Sequence, residues 1–318
     1  LILASTIFAA AQSVDSLKNK NQSLKADSSA SLLSLFQLVD SLMTMPLEDL
    51  ELGSTLVGRL GYNSNIVAAS RTLGFSQFGL SPGISYYHKT GLYLDATAYW
   101  SQEYSPNLYL TVPSMGYLKN LKKWTFNLEY SRYIYSFSDS TYDPPYTNTL
   151  GLSNFFEAKP FLFRLDYSLY FGEKSAHRIM PAVMLNLEKR NWKGFKRILL
   201  YPTFSVLLGN ESWTTSQYVP NFKTLSEFLY LLSHHLPRYR LDTKGYNKFG
   251  VLNYSMSLPL SVSYKNWNFV LSYTYNFQRA LADEPITVTN SGYLSFSVIR
   301  YFNFKSNSVL TDLLKMTK

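Results

Sequence analysis

Two consecutive runs near the C-terminus, residues 250 to 264 and 267 to 279, alternate large apolar side chains with small polar ones. In the first, Asn253, Ser255, Ser257, Ser261 and Ser263 fall on one side, and Leu252, Tyr254, Met256, Leu258, Leu260, Val262 and Tyr264 on the other. In the second, Asn268, Ser272, Thr274, Asn276 and Gln278 oppose Trp267, Phe269, Leu271, Tyr273, Tyr275 and Phe277. Successive side chains of an extended strand point to opposite faces, so each run is a strand with one wet face and one greasy face. Only Lys265 and Asn266 separate the two runs.

A soluble sandwich produces the same alternation, with the greasy face turned to a second sheet, so strand length and turn pattern must arbitrate. These runs exceed the usual soluble strand of about 5 or 6 residues and reach the roughly 9 to 11 that cross a bilayer at a tilt. The period of two begins at about Thr55. It predicts further strands near 55–62, 75–88, 91–101, 108–118, 123–136, 147–156, 160–172, 177–189, 197–208 and 290–304. With the opening pair the total is about twelve, an even number as in bacterial single-chain barrels. Short connections at 88–91, 119–123, 157–160, 191–196 and 265–266 alternate with longer ones, among them 137–146, the segment from Gly209 to Tyr246, and 279–289. Short turns on one rim and long loops on the other predict an all-β, transmembrane, antiparallel up-and-down barrel with its short rim periplasmic.

Composition agrees with this reading. The 318 residues include 26 Tyr, 21 Phe and 5 Trp against only 16% charged residues, and aromatics favour strands and membrane interfaces. Trp124 and Trp267 each begin a strand just after a lysine-bearing short turn, Trp100 lies toward the opposite rim, and the last strand closes with Tyr301, Phe302, Asn303 and Phe304. Here the chain resembles outer-membrane β-barrel proteins of Gram-negative bacteria over residues 55 to 304. That resemblance implies an outer-membrane location and partners in the outer-membrane lipids. It also implies the barrel-assembly machinery as a partner, which reads a terminal aromatic residue. The tail KSNSVLTDLLKMTK follows the aromatic end, a departure from that pattern.

The remaining segments divide as follows. Residues 1–11 read as the remnant of a secretory signal peptide, apolar and ending in Ala9-Ala10-Ala11. Residues 12–50 read as a periplasmic linker with a short amphipathic helix in which Leu32, Leu35, Phe36, Val39, Leu42 and Met43 recur at three and four. The barrel occupies 51–304, and 305–318 form a periplasmic tail. Cysteine is absent, which excludes disulfides and thiolate metal sites. The formal net charge of +9 is spread through short turns instead of forming one helix face or block, which argues against nucleic acid.

By the same alternation the inward face carries Arg59, Asp95, Glu129, Arg164, Asp166, Arg178 and Glu188 on one wall, and Asn253, Asn268 and Asn276 on a neutral polar wall. These residues either pair across strands and fill a narrow lumen, or line a path that selects a small hydrophilic solute. Arg132 and Arg300 fall on the greasy face by strict counting, which a bulge or a rim position would accommodate. The expected function is a narrow porin-like channel or a structural membrane protein. One alternative is a closed scaffold or binding barrel contacting partners through its extracellular loops. A rim hydrolase using Ser175 and His177 is a further rival, although no catalytic motif surrounds that pair. His234 and His235 lie in an expected short helix, on diverging faces that suit no single metal. Leu229, Leu231 and Leu232 would pack that helix over the barrel mouth or fold it inward. Phosphate cradles and nucleotide fingerprints are missing from the sequence, so no cofactor is expected.

Overall fold

A computed structural model describes residues 53–65, 79–102, 105–136 and 146–305. The expected signal remnant, linker and N-terminal helix, and nearly all of the C-terminal tail, lie outside the described residues. In chain order the strands are β1 (Gly53–Asn63), β2 (Gly79–Tyr87), β3 (Leu92–Trp100), β4 (Leu108–Leu121), β5 (Trp124–Arg132), β6 (Ile134–Tyr135), β7 (Asn148–Ala158) and β8 (Phe161–Phe171). They continue with β9 (Ser175–Leu185), β10 (Leu187–Trp192), β11 (Phe195–Leu200), β12 (Thr203–Pro220), β13 (Tyr239–Tyr264), β14 (Trp267–Gln278) and β15 (Ser291–Lys305), and one helix, α1 (Leu225–Ser233), joins β12 to β13.

Every pairing is antiparallel between neighbours, and β1 closes the ring by pairing with β15 from Gly53↔Lys305 to Asn63↔Ser295. The result is a closed 12-strand barrel with 3 extra strands. Those three are β6, a short piece on β4, and the hairpin β10–β11, which prolongs β9 and β12 past breaks at Asn186 and at Tyr201-Pro202. Among the described residues no helix is long and apolar enough to cross a membrane. The short turns use left-handed backbone at their first residue, with φ of 59° at Lys122 and 52° at Lys265. That geometry suits the right-handed twist of the flanking strands.

The alternation is realised around the ring. Leu60, Ile84, Leu94, Met115, Leu165, Leu258 and Leu271 are exposed on the outside, each between residues that turn inward. Two bulges break the phase. Between Tyr99 and Trp100 the register with β4 slips, and Tyr109 and Leu110 are both buried. Between Leu207 and Leu208 the register with β13 slips likewise, so Leu252 turns inward beside Asn253 instead of joining the greasy face as strict counting predicted. Neither out-of-phase arginine sits on a bulge. Arg132 is the last residue of β5, at the long-loop rim. Arg300 is exposed at the short-turn rim with its guanidinium 4.8 Å from the centroids of both Trp267 and Phe302.

The segment from Gly209 to Tyr246 departs from the expected loop. Strands β12 and β13 stay paired from Gly209↔Gly250 to Pro220↔Tyr239, forming a two-stranded ribbon beyond the barrel wall. The run WTTSQYV is rich in strand formers. A Ser216–Thr243 hydrogen bond of 3.0 Å and the stacked pair Trp213–Tyr246 hold the arms together. At its tip α1 is started by a capping box, Thr224 accepting from the Glu227 amide and Glu227 accepting from the Thr224 amide. No residue of α1 is buried, so Leu229, Leu231 and Leu232 neither close the mouth nor enter the lumen.

Candidate functional site

The interior is layered. At the short-turn end, inward residues from around the ring form one buried apolar cluster that includes Val57, Tyr87, Tyr93, Met184, Leu199, Val270 and Ile299. Two of these, Val57 and Leu199, are wholly inaccessible, so this level is filled with side chains. One step toward the loop rim the lining turns polar and charged. Toward the mouth, Met180, Leu207 and Leu252 form a second small apolar group, against which Leu281 of the β14–β15 loop packs.

The charged layer is built across five neighbouring strands. Arg59 on β1 lies opposite Gly83 on β2, whose hydrogen leaves the room that a Cβ only 2.7 Å from the guanidinium Nε would take. The side chain crosses that gap to reach Asp95 on β3, with Nη2 2.6 Å from Oδ1 and Nη1 donating to Ser85 Oγ at 2.8 Å. Glu129 on β5 accepts from Tyr93 Oη at 2.5 Å and from Ser131 Oγ at 2.8 Å. Ser131 in turn bonds Ser114, the register partner of Asp95, so the two bonded groups lie side by side across β1 to β5. A buried ion pair of this kind is stable only when hydroxyls satisfy the remaining lone pairs, which Ser85 and Thr97 do here.

On the opposite side Arg164 Nε lies 2.7 Å from Asp166 Oδ2, two residues along β8 and 2% exposed at both side chains. Arg178 on β9 spans Gly209 to pair with Glu211 at 2.8 Å, near the loop rim. The neutral wall is made by β13 and β14. Asn253 donates to Asn276 at 2.8 Å and to Ser255 at 2.9 Å, and Asn268 accepts from Ser261 at 2.9 Å and from Ser263 at 3.0 Å.

Nine of the ten lumen candidates therefore face the interior, in three separate charged groups and one amide ladder. Glu188 differs. It lies on β10, past the barrel wall, where it bonds Arg190 at 2.5 Å and Arg197 at 2.9 Å. Burial opposes its ionisation, but the hydrogen bonds and charges of those two arginines outweigh that and hold its carboxyl below the ordinary range. Of the aromatic candidates, Trp124, Trp267, Phe302 and Phe304 are exposed at the short-turn rim, and Trp100 is half-buried at the other end of the wall.

The alternation alone did not identify Glu211, the hydroxyls that complete the charged belt, or the apolar layer below it. A signal for the belt is present in the sequence as glycines on the strands next to long inward side chains. Gly83 serves Arg59 in this way, Gly116 serves Tyr93 and Gly209 serves Arg178. Among the described residues no hydrogen bond joins Ser175 to His177, whose ring is bonded through Nδ1 to Tyr167 Oη at 2.9 Å. The His234 ring is occupied by the Tyr230 carbonyl at 2.9 Å.

A closed antiparallel barrel, aliphatic outside and polar within, is the architecture of outer-membrane β-barrel proteins. Neither a protein-family model nor a curated protein matches the chain. Solved structures similar to it include the KdgM porin, at 11% identity over 79% of this chain and 99% of that one, TM-score 0.40. They also include the translocator domain of the autotransporter NalP from Neisseria meningitidis, at 12% identity, coverage of 88% and 96%, and TM-score 0.45. A third is the COG4313 outer membrane channel from Pseudomonas putida F1, at 10% identity, coverage of 79% and 96%, and TM-score 0.37. Identity this low says nothing about what this lumen carries.

Proposed function

We propose that the chain spans the outer membrane as a narrow channel for small hydrophilic solutes, and that the state described here is closed. The observation that carries this reading is the inversion of polarity across the wall. Ion pairs and amides are buried inside at the same level at which leucines and isoleucines are exposed outside. An exposed aliphatic band is costly in water and stable in hydrocarbon, while a polar interior suits hydrated solutes. The apolar cluster below the charged belt would act as the gate, since a constriction lined mostly by apolar side chains disfavours water until it widens. In this reading Phe304 closes the last strand for the assembly machinery, and outer-membrane lipids surround the aliphatic band.

The apolar layer also favours a second reading, a permanently closed scaffold that presents the β12–β13 ribbon to a partner. Planar-bilayer recording of the purified protein separates the two. A channel shows discrete conductance steps, rare in the native chain and frequent in Met184→Ala and Val270→Ala, whose gate is thinned. A barrel that inserts yet stays silent with both substitutions is a scaffold.

A further inference from the structure

Carboxylates of the interior and its rim are matched to arginines one to one, Asp95 to Arg59, Asp166 to Arg164 and Glu211 to Arg178. Glu129 breaks that pattern. Among the described residues no cation forms an ion pair with it, and its two oxygens are bonded instead by the hydroxyls of Tyr93 and Ser131. The side chain is half-buried, so part of it borders open lumen.

The register places Glu129 between two glycines, Gly116 on β4 and Gly151 on β7. Their room is used differently. Over Gly116 the Tyr93 ring fills the gap, its Oη 2.5 Å from where a Cβ would stand. Beside Gly151 the same position is clear, the nearest atoms being the Glu129 carbonyl oxygen at 3.9 Å and Ser168 Oγ at 4.0 Å. Ser168 is the register partner of Gly151 on β8. Asn127, two residues along β5 on the inward face, is 2% exposed. Its amide nitrogen donates to the Tyr93 hydroxyl that also serves Glu129, and its Oδ1 is left without a donor.

A carboxylate removed from water without a counter-charge sheds the cost by taking up a proton or a cation. A proton on Glu129 would leave Asn127 Oδ1 as it is. A cation in the space beside Gly151 would serve both, because it compensates the charge and accepts the lone pairs of neutral oxygens. One carboxylate balances one positive charge, and a divalent ion would bring a second, uncompensated one.

We infer that Glu129, Asn127 Oδ1 and Ser168 Oγ form a lumenal binding site for a monovalent cation, an alkali ion or a primary ammonium group, seated beside Gly151. The inference rests on the channel reading and deepens it by giving the favoured solute a positive charge.

The test uses the full chain in detergent micelles with sodium chloride as probe, and the excess sodium NMR relaxation over empty micelles reports bound ion. Part of that excess should be displaced by potassium chloride or methylammonium chloride and retained in N-methylglucamine chloride, whose cation is too bulky for the space. Whichever of the first two displaces at lower concentration identifies the occupant as alkali ion or ammonium. Glu129→Gln, which keeps the shape, should lower the displaceable part at least roughly threefold. Gly151→Val keeps the carboxylate, fills the space and should lower it as much. Ser168→Ala, the mildest change, should weaken binding while leaving the barrel closed. Native protein without a displaceable part overturns the inference, as does a displaceable part unchanged in Glu129→Gln or in Ser168→Ala. Bilayer recording keeps the two readings apart. A barrel that stays silent with Met184→Ala and Val270→Ala yet binds sodium through Glu129 fails as a channel and keeps the site.

Discussion

Arg59 and Asp95, on strands separated by β2, meet because Gly83 between them has no side chain, and the guanidinium lies in that gap. The pair is nearly inaccessible, at 7% and 9% exposure of the two side chains. Removing one partner leaves the other charge buried. Asp95→Asn is therefore expected to destabilise the barrel by roughly 3–5 kcal/mol. Urea unfolding in detergent micelles measures this, and a loss below about 1 kcal/mol would show that the pair is hydrated instead.

Gly83→Val tests the same relationship from the other side. Its side chain would need the space of Arg59 Nε and of Thr97 Oγ1, 3.0 Å from the position of a Cβ. Arg59→Met removes the clash along with the charge, so the double variant should recover part of the stability that Gly83→Val loses. Strict additivity of the two losses would mean the side chains do not compete for one space.

The chain lacks cysteine, so single cysteines map the wall without background. Val270→Cys, at 2% exposure within the apolar layer, should resist a water-soluble maleimide in the folded protein. Leu258→Cys, on the aliphatic band, should react only with a membrane-permeant maleimide. Ser212→Cys, exposed on the ribbon, should react with both. Fast labelling of Val270→Cys by the water-soluble reagent would mean that water reaches the apolar layer.

Replacing residues 213–246 by Asn-Gly should leave the barrel folded, because the ribbon beyond Glu211 has few buried side chains and α1 has none. The retained Glu211 keeps its pair with Arg178. Migration of unheated and heated samples on a detergent gel reports whether the shortened chain still closes, and failure to close would give the ribbon a role in folding.

Glu188 supplies a pH dependence with a definite sign. Its folded-state pKa is depressed, so it contributes stability above its unfolded pKa and loses that contribution as pH falls through the folded value. The side chain is 27% exposed, so screening keeps the effect small. With Trp192 as sole tryptophan, its emission should change on acidification below the ordinary carboxylate range. In Glu188→Gln that change should disappear.

The repeat of two along β13 and β14, the lysine-bearing turns and the alternation of short and long connections all lie in the sequence, so the strand order and the inward set other than Glu188 could be derived from it. The two bulges could not. A bulge is a choice of register between two strands, and nothing in the order of Leu252 and Asn253 tells which of them repeats the inward phase. In sequence the ribbon reads as a loop because its arms lack the greasy face that marks the other strands. Pairing between the two arms stabilises it without burial.

The sequence by itself determined the barrel and which side of each strand is polar away from the bulges, because side-chain direction in an unbroken extended run follows the parity of position. Tertiary structure alone decided which charges meet and that an apolar cluster fills one level of the interior. It also decided that Arg300 rests on Trp267. Those facts depend on the stagger between paired strands, whether distant in sequence as β1 and β15 or consecutive as β14 and β15, and on the space that a neighbouring glycine leaves open.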